Sequence, residues 1–255
     1  MESTATRAVY IGCCPNCGGD ITDSELLSRG VCQSCLSGPV ESQLDLYEKL
    51  RRSGKLIKFK EPLEVNIWIS EFKEFFKRLV GANPWSLQET WARRVYLGRS
   101  FSIVAPTGMG KSMFGLVMCI YLAMKGRKCY FIVPSSLLVQ HFLERANTFL
   151  EKIGDKKLRV IGYYSGMPKK EGEEILENIR SGNFDVLITT DRFLYGRFDI
   201  LKNNSFNFIF VDDVDSFLKS PRNIDKVVML MGYEPEIIDK VMRIIELRRK
   251  KRPTE

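Results

Sequence analysis

Residues 105–112 read Ala-Pro-Thr-Gly-Met-Gly-Lys-Ser, between the apolar segment Phe101–Ala105 and the apolar run Phe114–Met124. A glycine-rich loop between a strand and a helix lets backbone N–H groups and the positive helix end face phosphate oxygens. Lys111 would then meet the β- and γ-phosphates of ATP, and Ser112 would offer its hydroxyl to Mg²⁺. The residues predicted to bind the nucleotide are Pro106, Thr107, Gly108, Met109, Gly110, Lys111 and Ser112.

Short β-rich runs alternate with helical patterns on the C-terminal side of this loop. This alternation predicts an α/β fold with right-handed crossovers and a mostly parallel sheet, which binds ligands at the carboxyl ends of its strands. The predicted strands are Phe101–Ala105, Cys129–Val133, Leu158–Tyr163, Val186–Thr189 and Phe206–Val211. The segment 220–255 is helical in pattern and ends in a basic run, and no further strand is predicted there.

Clustered carboxylates follow the last predicted strand, in the sequence Asp212-Asp213-Val214-Asp215. A bare acidic turn is the alternative interpretation. In a chain that already holds a phosphate-binding loop, these carboxylates are better explained by Mg²⁺ and an attacking water. We therefore predict Lys111, Asp212 and Asp213 as catalytic residues, with Asp212 also contacting the cofactor.

Two Cys-x-x-Cys pairs, Cys14 with Cys17 and Cys32 with Cys35, are separated by the 14 residues Gly18–Val31. Each pair offers two sulfurs at tetrahedral geometry, which predicts a structural Zn²⁺ site, with iron as an alternative. Cys13 adjoins the first pair as a competing ligand, but the spacing favours Cys14. Residues 1–40 contain too few large apolar side chains to build a core without such a metal.

Composition places the chain among folded proteins of a reducing compartment. Of 255 residues, 27% are charged and 44% are hydrophobic, and the net charge of +8 permits a polyanionic partner without establishing one. The seven cysteines, an odd number, argue against a disulfide framework. We expect no secretory signal in residues 1–9, which lack a basic segment followed by an apolar one, and the longest apolar run is too short to span a bilayer. We expect a cytoplasmic protein with no membrane contact.

These patterns predict three regions: a Cys₄ zinc-binding module over 1–40, a helical spacer over 41–99, and an ATP-binding α/β domain over 100–255. Leu44, Tyr47 and Leu50 repeat at helical spacing in the spacer, and a second helical repeat begins at Trp68. Asn83-Pro84 predicts a break before a further helix over about 87–97.

The acidic cluster resembles the Asp-Glu-Ala-Asp box of superfamily 2 helicases, with Asp213 in the Glu position. The resemblance implies that Asp212 holds Mg²⁺, directly or through water, and that Asp213 orients and deprotonates the attacking water. Further elements resemble helicase motifs in the helicase order, where hydroxyls, N–H groups and a guanidinium contact nucleic-acid phosphates. They are Pro84–Gln88, Val133–Ser136 with Gln140, Ser165-Gly166, and Thr189–Arg192. Within the first of these, Gln88 would read the adenine edge.

Taken together, a Cys₄ zinc-ribbon module, a helical spacer and a RecA-like P-loop domain resemble the opening of reverse gyrases, over essentially the whole chain. That family couples ATP hydrolysis in two RecA-like domains to a type IA topoisomerase domain, and it positively supercoils DNA in hyperthermophiles. The resemblance implies DNA, the second RecA-like domain and the topoisomerase domain as partners. Because no Ser-Ala-Thr or Gln-x-x-Gly-Arg-x-x-Arg element is present, we expect this chain to bind nucleotide better than it hydrolyses it.

Two alternatives stay open at the level of sequence. The first is a stand-alone superfamily 2 DNA or RNA helicase with an unrelated zinc ribbon in front. The second is a zinc-containing nucleic-acid-binding module in which nucleotide acts only as a conformational switch. The sequence downstream of residue 255 would separate the first alternative from a reverse gyrase.

Overall fold

The computed structural model of the chain describes residues 8–155, 157–218 and 221–250. These residues form two compact units. The first comprises the described residues up to Glu74 together with Pro84–Phe101. The second comprises Phe75–Asn83 together with the described residues from Ser102 onward. The division at residues 40 and 99 expected from composition stays a prediction.

The first unit begins with a short antiparallel pair, β1 (Val9–Tyr10) and β2 (Ile21–Thr22), followed by α1 (Asp23–Ser28). The Thr22 hydroxyl accepts the N–H of Glu25, and the Glu25 carboxylate accepts the N–H of Thr22 at 2.8 Å. This reciprocal cap satisfies N–H groups that a helix start leaves without intrahelical partners. The same carboxylate accepts the N–H of Gln33 at 2.9 Å, which ties α1 to the second Cys-x-x-Cys pair.

Three helices complete this region, α2 (Gln43–Arg52), α3 (Lys60–Val80) and α4 (Ser86–Tyr96), so the predicted helical pattern and its break are confirmed. Leu44 was expected on the buried face of α2 but is 53% exposed. The apolar stripe of α2 begins two residues later, at Leu46. The core around the cysteines consists of Cys14, Ile21, Val31, Cys32, Cys35, Leu46, Tyr47, Leu50 and Leu63.

The second unit is built on a four-stranded sheet in which every described pairing is parallel, which confirms the predicted α/β class. Its strand order is β4-β5-β3-β6. The strands are β3 (Cys129–Val133), β4 (Val160–Tyr163), β5 (Val186–Thr190) and β6 (Phe208–Val211). The connecting helices are α5 (Lys111–Met124), α6 (Ser136–Ile153), α7 (Lys169–Ser181), α8 (Asp191–Gly196) and α9 (Phe198–Leu201).

Helix α5 packs closely against the centre of the sheet, and its residues from Phe114 to Ala123 are buried. A Cβ atom at Gly115 would lie 2.6 Å from ring carbons of Phe210 and 2.8 Å from the ring of Phe131. The two rings stack on each other, with their centroids 5.3 Å apart, and leave no room for a side chain on the helix. Gly115 therefore permits the short distance between α5 and strands β3 and β6.

The predicted strand at Phe101–Ala105 is wrong for the described structure, where these residues have no strand pairing. Their exposure alternates along the segment, and Val104 is 96% exposed. A strand requires a neighbour whose N–H and C=O groups complete a ladder, and no described strand pairs with this segment. Apolar, β-branched composition alone does not supply that partner.

Three helices follow the sheet: α10 (Val214–Leu218), α11 (Pro221–Leu230) and α12 (Pro235–Lys250). The predicted helical pattern after residue 220 is confirmed where the structure describes it; residues 219–220 and the final residues 251–255 lie outside the described ranges. Among the described helices, none combines the length and the apolarity needed to cross a membrane.

Substituting Gly115→Ala is expected to lower the free energy of unfolding by about 1–3 kcal/mol. The added methyl group would meet two buried aromatic rings, and this overpacking outweighs the better helix propensity of alanine. Urea denaturation of the two proteins measures the difference. Gly196→Ala in α8 is the control, because a Cβ there meets no atom within 4 Å. Equal stability of Gly115→Ala and the wild type would contradict the packing described here.

Candidate functional site

The loop predicted to bind phosphate leads directly into α5. Gly108 has φ 82° and Gly110, the N-cap of α5, has φ 70°, both in the left-handed region that favours glycine. A Cβ at Gly108 would meet nothing within 4 Å, so the requirement there is conformational rather than spatial. The first turn of α5 itself carries no acidic residue, which suits an anion at the positive end of the helix.

The ammonium group of Lys111 lies against the backbone of its own loop. Its Nζ donates to the carbonyl oxygen of Ala105 at 2.7 Å and to that of Pro106 at 2.9 Å. These two bonds hold the ammonium group against its own loop. A phosphate bound there would compete with the two carbonyls for the ammonium.

Ser112 and Asp212 are 100 residues apart in the sequence, and the fold joins them: the Ser112 hydroxyl donates to Asp212 Oδ1 at 2.8 Å. The backbone of Asp212 continues the sheet, because its N–H donates to the carbonyl of Ile132 at 2.8 Å. Burial raises the pKa of Asp212, and the neighbouring Asp213 charge adds to the rise, while the Ser112 bond acts in the opposite direction. The predicted Mg²⁺ hydroxyl and the predicted Mg²⁺ carboxylate are therefore adjacent.

Asp213 is the one described non-glycine residue with a positive φ, at 56°. Aspartate tolerates the left-handed region better than most residues, so the strain is small. The turn separates Asp213 from the line of β6, and its side chain is exposed at the start of α10. Asp215 is also exposed, in the first turn of that helix.

The four predicted metal ligands Cys14, Cys17, Cys32 and Cys35 come together, with all Sγ atoms within 4.8 Å of one another. The Sγ atoms of Cys14 and Cys35 are 3.9 Å apart, and those of Cys17 and Cys32 are 3.6 Å apart. Tetrahedral thiolate ligands at a Zn–S distance of 2.3 Å lie about 3.8 Å from one another, so this set fits such an ion. Cys13 is exposed, outside the cluster, with its Sγ near the Ile11 carbonyl.

The local environment shifts the pKa values of these thiols in opposite directions. Burial raises the pKa of the Cys35 thiol to about 12. Burial also acts to raise the pKa of Cys14, but hydrogen bonds from the backbone of Cys17, Cys32 and Asn16 outweigh it and lower that pKa to about 6. A divalent cation favours deprotonation of all four thiols together, so metal binding and proton release are linked.

Gln88, predicted to read adenine, lies near the start of α4 in the first unit, whereas the phosphate loop belongs to the second unit. The Gln88 side chain is only 4% exposed, and its Oε1 accepts the N–H of Trp85 at 3.0 Å. Its amide therefore takes part in starting the helix. The adenine-reading role stays a prediction.

Several polar loops meet at the carboxyl edge of the sheet. Ser135 caps α6 by accepting the N–H of Leu138, and the Ser136 hydroxyl accepts the N–H of Ser165 at 3.3 Å. Thus the loops after β3 and β4 are joined directly.

At the end of β5, Thr189 lies in the core and Thr190 is the N-cap of α8. Thr190 caps α8, and the exposed Arg192 follows it. Thr189 is fully buried and shares a 2.7 Å hydrogen bond with Tyr130, so its hydroxyl is not among the groups of this segment that face solvent. Side chains alternate across a strand, and Thr189 points into the core.

A parallel sheet with a glycine-rich loop opening α5 and carboxylates following β6 defines the second unit as a P-loop α/β domain. The chain belongs to the DEAD/DEAH box helicase family, which matches residues 85–240. The reverse gyrase zinc finger family matches residues 6–56, a range that includes all four clustered cysteines.

Most of this chain is similar in sequence to part of the reverse gyrases. Reverse gyrase of Pyrococcus furiosus is 42% identical over 250 residues, which cover 95% of this chain and 20% of that protein. Reverse gyrase 1 of Aquifex aeolicus is 44% identical over 249 residues, covering 98% of this chain and 21% of the relative. The chain thus corresponds to the N-terminal zinc finger and helicase domain of reverse gyrases and spans about a fifth of their length.

Asp212→Asn is expected to stabilise the nucleotide-free chain near neutral pH and to have little effect at acid pH. The pKa of Asp212 is raised above its ordinary value of 3.8, so the folded chain holds this proton more tightly than the unfolded chain. The folding stability that this proton contributes is fully present below the ordinary pKa and is lost as pH rises through the raised pKa. An asparagine keeps the acceptor for Ser112 and carries no charge at any pH.

Calorimetric unfolding over this pH range measures the effect. Asp215→Asn is the control, because its carboxylate is exposed and lies outside the Ser112 contact. A difference in melting temperature between the wild type and Asp212→Asn that stays constant from acid to neutral pH would refute the raised pKa of Asp212.

Proposed function

We propose that this chain is the ATP-binding motor portion of a reverse gyrase, which couples ATP hydrolysis to DNA unwinding and positive supercoiling in the whole protein. The observation that carries the proposal is the hydrogen bond between Ser112 and Asp212, which joins the phosphate loop to the carboxylates after β6. The zinc finger match at residues 6–56 favours this proposal over a stand-alone helicase. Its partners are DNA and the second RecA-like and topoisomerase domains of the same protein.

ATP is the substrate of the proposed site. The N–H groups of the loop would bind its phosphate oxygens, and the Lys111 ammonium would exchange the carbonyls of Ala105 and Pro106 for the β- and γ-phosphates. Ser112 and Asp212 would hold Mg²⁺, which when bound stabilises charge on the phosphoryl oxygens. Asp213, on its exposed turn, would accept the proton of the attacking water. Gln88 would contact the adenine.

The DNA-binding surface of the proposal is the carboxyl edge of the sheet. The loops that carry Ser135, Ser136 and Ser165 meet there, and Arg192 is exposed at the start of α8. Hydroxyl, N–H and guanidinium groups of this kind bind phosphate oxygens and position a protein on nucleic acid without reading its sequence. The net charge of +8 is compatible with that partner.

Zn²⁺ is the metal proposed for the Cys₄ cluster. Cys14, Cys32 and Cys35 are themselves part of the small core of this region. Metal binding would therefore supply stability that the burial of large apolar side chains supplies in larger domains. A site closed by four thiolates leaves no position for a substrate, which argues for a structural role rather than a catalytic one.

The central test is the Lys111→Ala variant of the complete reading frame. It is expected to lose DNA-stimulated ATP hydrolysis by about two orders of magnitude or more, because charge stabilisation at a transferred phosphoryl group commonly contributes that much. Turnover is measured with and without DNA. The control is Lys202→Ala, an exposed lysine that follows α9, before β6. Equal turnover by Lys111→Ala and the wild type would refute the proposal.

Arg192→Ala tests the DNA surface separately. Because Arg192 is assigned a phosphate contact, its loss is expected to weaken binding equally for unrelated DNA sequences and to reduce the salt dependence by about one ion. Fluorescence anisotropy titrations over a range of salt concentrations measure both quantities. Arg180→Ala, at the end of α7 that leads toward the opposite edge of the sheet, is the control. An unchanged salt slope in Arg192→Ala would contradict the contact.

A further inference from the structure

Asn16 lies inside the first Cys-x-x-Cys pair and is fully buried, although its side chain is polar. Its amide Nδ2 donates to Cys35 Sγ at 3.2 Å and to the carbonyl oxygen of Lys55 at 2.8 Å. Its Oδ1 accepts the N–H of Ile57 at 2.9 Å. A buried amide is costly unless its donors and acceptor are satisfied, and here both N–H groups and the oxygen have partners.

The bond to Cys35 differs from the N–H···S bonds of the other cysteines. Cys14 Sγ accepts the backbone N–H of Cys32, and Cys17 Sγ accepts the backbone N–H of Gly19. Both of these donors are backbone N–H groups: that of Cys17 comes from the turn of its own pair, and that of Cys14 comes from the second pair. The N–H donor of Cys35 is the side chain of Asn16, which belongs to the opposite pair. Asn16 therefore links the two halves of the cluster through one thiol.

The remaining bonds of Asn16 hold the α2–α3 linker, residues Lys55–Lys58. Besides the two side-chain bonds, the Asn16 carbonyl accepts the N–H of Lys58 at 3.1 Å. Lys55 Nζ reaches the carbonyl of Ser34, in the second cysteine pair, at 2.8 Å. The linker lies against both cysteine pairs and leads into α3. Its side chains at Ile57 and Lys58 are exposed, and its one partly buried apolar side chain, Leu56, packs against the core around the cysteines.

We propose that Asn16 is the positioning residue through which the Cys₄ metal centre orders the α2–α3 linker. Holding the Cys35 thiolate in ligand geometry and holding the linker require the same amide orientation. Metal binding therefore favours the ordered linker, and the ordered linker favours metal binding. This inference rests on the proposed metal centre and extends it to a residue outside the ligand set.

The first measurement is metal affinity of the full chain, by chelator competition for Zn²⁺ and by titration with Co²⁺. Loss of an outer-shell partner typically lowers metal affinity about 10- to 100-fold, and we expect that range for Asn16→Ala. The thiolate-to-Co²⁺ charge-transfer band should also shift, because Cys35 loses its N–H donor. Ser34→Ala is the matched control, at the same place in the second pair with an exposed side chain. It should behave as the wild type does.

The second measurement is hydrogen exchange at the Ile57 and Lys58 amides. In the wild type, chelating the metal should speed exchange at both amides. In Asn16→Ala, the Ile57 amide loses its acceptor and should exchange fast with or without metal, whereas Lys58 keeps the backbone carbonyl of residue 16 as its acceptor. Asn16→Asp keeps Oδ1 for Ile57 but removes the amide N–H groups that donate to Cys35 and to the Lys55 carbonyl. It should therefore lose metal affinity while the Ile57 amide stays protected, which a variant that simply fails to fold would not do.

The outcomes separate the two proposals. A wild-type chain that binds neither Zn²⁺ nor Co²⁺ would overturn the metal centre and this inference with it. Wild-type metal binding that Asn16→Ala matches in affinity and spectrum would overturn the inference alone. Hydrogen exchange at the linker amides that is equally fast with and without metal in the wild type would also overturn the inference alone.

Discussion

The parallel pairing of β3 with β5 on one side and β6 on the other is the interaction on which the second unit depends. Parallel strands end at the same edge, so their following loops meet there regardless of their distance along the chain. Ser112 can reach Asp212 because α5 packs on this pair of strands, and Gly115 keeps the helix close. One packing constraint thus joins the phosphate loop to the carboxylates.

The first unit depends on a different constraint. Around the cysteines, which are core residues as well as candidate ligands, the buried apolar side chains are Ile21, Val31, Leu46, Tyr47, Leu50 and Leu63, and half of them come from α2. In a core this small, polar contacts and the proposed metal are expected to contribute much of the order. Glu25 joins α1 to the second cysteine pair through Gln33, and Asn16 joins the first pair to Cys35 and to the linker.

Local chemistry accounts for the parts of the fold that were predicted correctly. Gly108 and Gly110 mark a loop because their φ values suit no other residue as well, and the runs that became β3 to β6 are apolar and flanked by helical patterns. Phe101–Ala105 has the same composition and still forms no described strand. Thr189 resembles its neighbour Thr190, yet one is in the core and the other caps a helix. In both comparisons the residue types are similar, and the surrounding structure decides the outcome.

The sequence by itself determined the glycine-rich loop before α5, the acidic cluster, the four cysteines that come together and the α/β class, because each rests on spacing that the backbone must obey locally. Only the tertiary structure decided that Ser112 meets Asp212, that Asp213 turns away from its strand, and that Asn16 bridges Cys35 and the linker. Contacts of that kind join residues far apart in the chain. Their geometry depends on packing over many elements, and no short pattern records it.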